Sequence, residues 1–360
     1  MENPFIKISK NGTKHISQQS SINRLIMKKV PIKGIDDSIE GQTFEEIFSL
    51  NTFLKVMNNN KKELNILCES ITPQHTNYLI ELTKSDDKIL SKKAEDIIKF
   101  FGYRLGLIFL SLKIGDKENR EANKNFTDDM WDYFSLQKDI LLVGGMVSGE
   151  IGEKLLKYVL EIFKMANITP YNFILFENAS LVGVMGCVSE IKEKNCTSLV
   201  LDMGHTNIKR LLVTKKNGEF SSLKELPTVK SKYVFKHNIE NKDDIKKAKE
   251  LHNYILNTVV DAYKSGQVLA QLSNTIIISI ANYVVDGVLD NSRGGYAKLS
   301  KLGVNYAEVL EEELSGRLKR EIKVKLIHDA TAVAKYFSDY KNAVCITLGT
   351  AFGISFTDIN

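Results

Sequence analysis

The chain has 360 residues, 43% of them hydrophobic and 26% charged, with a formal net charge of +5. That is a globular composition of a length that favours two domains; no apolar run reaches the ~18–20 residues a bilayer span needs. The lysines are spread along the chain instead of gathered on one helix or face, which argues against a nucleic-acid footprint.

In chain order, residues 1–60 read as mixed strand and loop, beginning with MENPFIKISKNGTKH, which has no continuous apolar stretch of the secretory kind and so predicts a cytoplasmic protein. Two helical stretches follow. The segment over 91–114 is apolar nearly all round toward its end and is expected to be a buried helix. DILLV at 139–143 is a short apolar strand. GGMVSGEIGEKLLKYVLEIFKMA then turns on glycines into a helix with apolar residues at i, i+3/i+4 spacing. Strands at 199–203 and 207–214 are joined by a tight GHT turn, and a charged amphipathic helix runs near 241–266. TIIISIA is a β-branched run of the kind found inside a sheet. Residues 304–319 read as a helix, KVKLI as a strand, DATAVAKYFSDY as a helix and AVCITLG as a strand. That last strand breaks at Gly349-Thr350-Ala351-Phe352-Gly353 and resumes for a few residues. Strands alternating with helices, without repeats or low-complexity tracts, indicate α/β layers.

Cys68, Cys187, Cys196 and Cys345 show no CxxC or Cys/His ligand spacing, so neither a zinc site nor a disulfide framework is expected, and buried thiols are the simpler account. Four other segments carry candidate chemistry. LVLDMGHTNIKRLLV sets Asp202 at the mouth of a β-turn-β, ahead of Gly204, Thr206 and Lys209. A carboxylate there can hold Mg²⁺ while turn N–H groups and the threonine hydroxyl meet phosphate oxygens; a plain Asp-Gly hairpin is the alternative. GTAFG, with Gly349, Thr350 and Gly353, is a second glycine turn open to the same two readings. LVGGMVSGEIGEK, with Gly144, Gly145 and Ser148, opens a helix whose N-terminus could receive a nucleotide, or is simply loop geometry. In LIHDATAVAKYF, Asp329 ends a strand and starts a small-residue helix, as a general base at a cleft or as an ordinary N-cap.

Taken together, these segments resemble the phosphate-1 (202–209), phosphate-2 (349–353), adenosine (144–149) and connect-1 motifs of the actin, Hsp70 and sugar-kinase superfamily. ENASLVGVMGCV (177–188) resembles its connect-2 helix. Within that superfamily the sequence is most similar to ROK-type sugar kinases, over nearly the whole chain. The motif order differs: adenosine and connect-2 precede phosphate-1, and joining residue 360 to residue 1 restores the family order. The resemblance is therefore to a circularly permuted ROK-type kinase, with the chain ends neighbours and FIKIS near the N-terminus lying beside the final hairpin. It implies a two-domain actin-like (ribonuclease H-like) α/β ATPase fold with a cleft between domains. A larger nucleotide- and sugar-binding domain would combine 1–180 with 344–360, and 181–343 would form a smaller one.

The resemblance further implies ATP and Mg²⁺ as cofactors and a small-molecule sugar as substrate, with homodimerisation open. Asp329 would take the proton of the acceptor hydroxyl and Asp202 would position Mg²⁺. The 204–206 and 349–353 turns would hold phosphates, and 144–149 would receive the adenosine. Counted across the join, His15 matches the family's sugar-segment histidine and Glu45 its sugar-contacting glutamate, with Asn291 and His328 as further acceptor contacts; His15 reads equally as an exposed loop histidine. The departures are specific. Residues 16–44 lack the family's cysteine-rich zinc segment, and Gly12 stands where a glutamate is usual. Ala281-Asn282-Tyr283 replaces Pro-Gly, His328 replaces an asparagine, and Ala351 replaces the third residue of a GTG. Nucleotide binding is thus better supported than hexose recognition. The alternatives are a regulatory protein that keeps the nucleotide site without phosphotransfer, and an actin-like filament protein.

Overall fold

The structure is a computed structural model that describes residues 2–69, 71–72, 75–176, 181–235, 244–292 and 294–359. In chain order it begins with strands β1 (Ile6–Ile8) and β2 (Lys14–Ile16), followed by helices α1 (Phe44–Ile47), α2 (Leu50–Asn59), α3 (His75–Thr83), α4 (Lys88–Ile114), α5 (Lys117–Ala122) and α6 (Asp128–Ser135). Next come β3 (Asp139–Val143), α7 (Glu150–Met165), β4 (Asn172–Leu175), α8 (Val182–Cys187), and the meander β5 (Cys196–Met203), β6 (Asn207–Lys216) and β7 (Glu219–Lys230). Then follow α9 (Asp244–Gln267), β8 (Thr275–Ile280), β9 (Val284–Val285), β10 (Val288–Leu289), α10 (Tyr306–Leu318), β11 (Lys323–His328), α11 (Asp329–Tyr336), β12 (Ala343–Leu348) and β13 (Phe352–Phe356).

Two compact units result. The first is Met1–Phe5, Gln19–Ser180 and Tyr340–Asp358; the second is Ile6–Gln18, Leu181–Asp339 and Ile359–Asn360. Each is an α/β layer structure. The boundary differs from the sequence expectation mainly at residues 6–18. β1 pairs with β2, Lys7 opposite His15, instead of extending the sheet that contains β13. That hairpin is pinned within the second unit by Asn11 Nδ2, which donates to Asp286 Oδ2 at 3.1 Å, and by the Ser9 and Thr13 side chains on the same carboxylate. FIKIS therefore does not lie beside the final hairpin as a strand.

The first unit has a four-stranded sheet in the order β13-β12-β3-β4, with β12, β3 and β4 parallel. β3 is buried at all five residues, which is why an unbroken apolar run encodes it. α4 starts at Lys88, a turn earlier than its apolar pattern, because Asp87 caps the Ile89 and Leu90 N–H groups; it ends on left-handed Gly115. Met1 and Asn360, whose adjacency the permutation predicts, lie outside the described residues. Nearby, Asn3 Nδ2 donates to Asp358 Oδ1 at 2.8 Å, and the Phe5 ring stacks on Phe356 at 4.6 Å.

The second unit has a five-stranded sheet in the order β11-β8-β5-β6-β7; β11, β8 and β5 are parallel, and β5, β6 and β7 antiparallel. Its strands alternate between two cores. Leu199, Leu201, Ile276 and Ile278 pack with α9 and α10 residues such as Ile255 and Leu310. Val200, Ile277 and Ile327 pack on the other face with Val184 of α8 and Ala332 of α11. α8 and α11 meet so closely that a Cβ at Gly186 would collide with the Ala332 carbonyl, and Lys335 Nζ donates to the buried Glu190 carboxylate at 2.6 Å. The first four residues of the segment expected as connect-2, 177–180, lie outside the described residues.

Candidate functional site

Both units end parallel strands in loops at the same edge of their sheet. Open α/β sheets bind ligands beyond such carboxyl ends. In the second unit the register places Asp202 of β5 opposite Ser279 of β8, with His328 opposite Ile280 at the end of β11. Asp202 is tightly engaged: Lys209, its cross-strand partner, donates Nζ to Oδ2 at 3.0 Å, and Ser279 Oγ donates to Oδ1 at 3.2 Å. A Cβ on Gly183 of α8 would sit 3.9 Å from the same carboxylate, so only a small residue fits behind it.

The β5–β6 turn closes through the Gly204 N–H, which donates to Asn207 O at 3.1 Å. Its outer side is braced by Ser231 Oγ and Tyr296 OH, both donating to the Gly204 carbonyl. His205 stacks on Tyr296, and burial lowers its pKa, which favours the neutral ring. Thr206 is exposed at the tip.

Asp329 is the first residue of α11, and its Oδ1 takes the Ala330 N–H at 2.7 Å. The N-cap position itself belongs to His328, so Asp329 is not the cap that the plainer reading supposed. Its side chain keeps 40% of its surface within reach of a ligand. Burial, and then the negative charge of Asp202, push its pKa up to about 7, against the pull of the Ala330 N–H. A carboxylate poised near neutrality by desolvation and a like charge is what a general base needs. His328 is buried, with Nδ1 3.2 Å from Thr331 Oγ1 and Nε2 3.3 Å from Asp329 Oδ1, and its ring lies face to face with Tyr283 at 4.5 Å.

In the first unit the 144–149 loop and the 349–351 turn are neighbours, because they follow strands paired at Val143 and Thr347. Gly144 has φ +110° and backs onto the Leu348 carbonyl, where a Cβ would collide. Gly149, φ +64°, opens the 16-residue helix α7, and Ser148 Oγ donates to Gly145 O at 3.3 Å. Gly145 and Gly349 have open space where a Cβ would stand, so a ligand can approach their backbone. Thr350 is half-buried at the turn, and Gly353 lies opposite Thr347 in β13. Asn23 clamps the strand by accepting from Phe352 N and donating to Phe352 O, both at 2.8 Å.

The acceptor contacts expected from the sequence are not brought into one unit. Glu45 lies in α1 of the first unit, where burial raises its pKa despite Arg24; His15 lies half-buried on β2 of the second. Asn291 is exposed in the second unit, beside Asp290, which is buried and tied to Asn282. Sequence reasoning missed Ser279, Tyr283 and Tyr296.

The Asp202 and Asp329 carboxylates offer oxygen ligands, which suits Mg²⁺, although Lys209 Nζ already engages Oδ2 of Asp202. That ion takes one or two carboxylates and completes its shell with phosphate and water. Among the described residues no three His, Cys, Asp or Glu side chains converge as a metal site, and no helix is long and apolar enough to cross a membrane.

No protein-family model and no curated protein matches the chain. Among solved structures, the ethanolamine utilization protein EutJ from Carboxydothermus hydrogenoformans overlays with a TM-score of 0.33 at 10% identity, covering 64% of this chain and 74% of that one. A chain of the PilM-PilN type IV pilus biogenesis complex gives 0.28 at 13% identity, over 50% of this chain and 49% of that one. The Aquifex aeolicus Ppx/GppA phosphatase, type II variant, gives 0.31 at 12% identity, over 64% and 82%. Overlays this loose assign nothing to the chain.

Proposed function

We propose that the protein is an ATP-dependent phosphotransferase of the actin-like fold, acting on a hydroxyl of a sugar or related polyol. The observation that carries this reading is Asp329 just past the end of β11, pushed up to about 7 by burial and by the negative charge of Asp202 near the end of the parallel-sheet strand β5.

In this reading the acceptor O–H gives its proton to Asp329 as its oxygen attacks the γ-phosphorus, and the bond to the β,γ-bridging oxygen breaks to release ADP. Asp202 would hold Mg²⁺, which supplies charge neutralisation for the phosphates. Gly204 and Thr206 would serve the phosphates, with Lys209 keeping Asp202 in place. The sequence resemblance assigns Gly349, Thr350 and Gly353 to phosphates as well, and Gly144, Gly145 and Ser148 to the adenosine.

A second reading, a nucleotide-binding regulatory protein without phosphotransfer, is favoured by one observation: Lys209 already pairs with Asp202 at 3.0 Å. ADP release over a panel of hexoses, amino sugars and polyols separates the two. Acceptor-dependent turnover that falls by about 10²-fold or more in Asp329→Asn supports the kinase. ATP binding with no acceptor-dependent turnover supports the regulator.

A further inference from the structure

Beside Asp329 stands a side chain that the sequence resemblance makes an acceptor contact. His328 is 8% exposed, and three groups fix its ring in place and rotation. Tyr283, on the loop after β8, lies face to face with it, 4.5 Å between centroids and 19° between planes. The Thr331 hydroxyl, in the first turn of α11, reaches Nδ1 at 3.2 Å. On the far side Nε2 stands 3.3 Å from Asp329 Oδ1.

We propose that His328, clamped by Tyr283 and Thr331, is a positioning residue that steadies Oδ1 of Asp329, so that Oδ2 is the oxygen presented to the acceptor hydroxyl. The inference rests on the reading of Asp329 as the base. A hydroxyl donating to Nδ1 leaves the proton of the neutral ring on Nε2, the nitrogen that faces Asp329. Oδ1 then has two donors beside it, the imidazole N–H and the Ala330 N–H at 2.7 Å. The ring neither gains nor loses a proton in the reaction; the acceptor's proton goes to Oδ2. Tyr283 acts one step further out, since without its face the imidazole is free to rotate away from the carboxylate.

The test combines a spectrum with kinetics on the full chain. Histidine ¹⁵N spectra of the wild type, assigned by comparison with His328→Asn, should show residue 328 protonated at Nε2 and bare at Nδ1, with the Nε2 signal moving in Asp329→Asn. In the ADP-release assay His328→Ala should lower kcat about tenfold while KM for ATP stays within about twofold, and His328→Asn, which keeps an N–H donor, should recover most of the loss. Tyr283→Leu should lower kcat in the same direction and Tyr283→Phe restore it. A ring protonated at Nδ1, or wild-type kcat in His328→Ala, overturns the proposal. If no acceptor gives turnover that depends on Asp329, the kinase reading fails. The spectrum then decides the pairing alone, and an Nε2 signal indifferent to Asp329→Asn overturns it.

Discussion

Asp329 carries the largest consequences of any single residue. Its ordinary pKa of 3.8 rises to about 7 in the fold. As a base it must be ionised, so kcat/KM for the acceptor should climb with pH through about 7 and level off above it; a flat profile between pH 5 and 8 would remove it from the chemistry. Stability should move the other way. Between the two values the native state keeps a proton that the unfolded chain has lost, so the contribution of this group is greatest below about pH 4 and declines as pH rises through 7. Asp329→Asn removes that decline, and its melting temperature should exceed that of the wild type by more at pH 8 than at pH 5. Asp202 and Asp329 were legible in the sequence because each adjoins a small-residue turn. Ser279 and Tyr283 were not, since a serine in a strand or a tyrosine in a loop is silent until the sheet register sets it beside Asp202 or His328.

At the scale of elements, the glycine turns separate fold from function. Gly144 is required by the fold: Gly144→Ala sets a Cβ against the Leu348 carbonyl at φ +110° and should cost about 2 kcal/mol or more in urea denaturation. Gly349 has no such neighbour. Gly349→Ala should leave the urea midpoint nearly unchanged yet weaken ATP binding measured by calorimetry, because the methyl occupies space a phosphate needs. Equal affinity in the variant would return that turn to plain hairpin geometry. Elements with an apolar period were readable, as β3, β8 and α7 show. β7 was not, because it is the edge strand of its sheet and most of its residues are exposed, so its sequence alternates little. Residues 6–8 of FIKIS were misplaced for a related reason, although Phe5 does meet the final hairpin: three residues carry too little pattern to choose between a distant sheet and a local hairpin with KHI.

For the whole molecule, the α/β class was legible from the alternation of strands and helices, whereas the placement of residues 6–18 depends on contacts to Asp286 that are remote in sequence. The function proposed requires the chain to bind ATP together with Mg²⁺, with Asp202 holding the ion. Titration calorimetry of MgATP into the full chain, its Asp202→Asn variant and the wild type in EDTA tests this most directly. The account predicts saturable binding by the wild type, weakened about tenfold or more, or 1.4 kcal/mol, both by the substitution and by metal removal. No heat of binding at millimolar MgATP, or an affinity unchanged in Asp202→Asn, would contradict it.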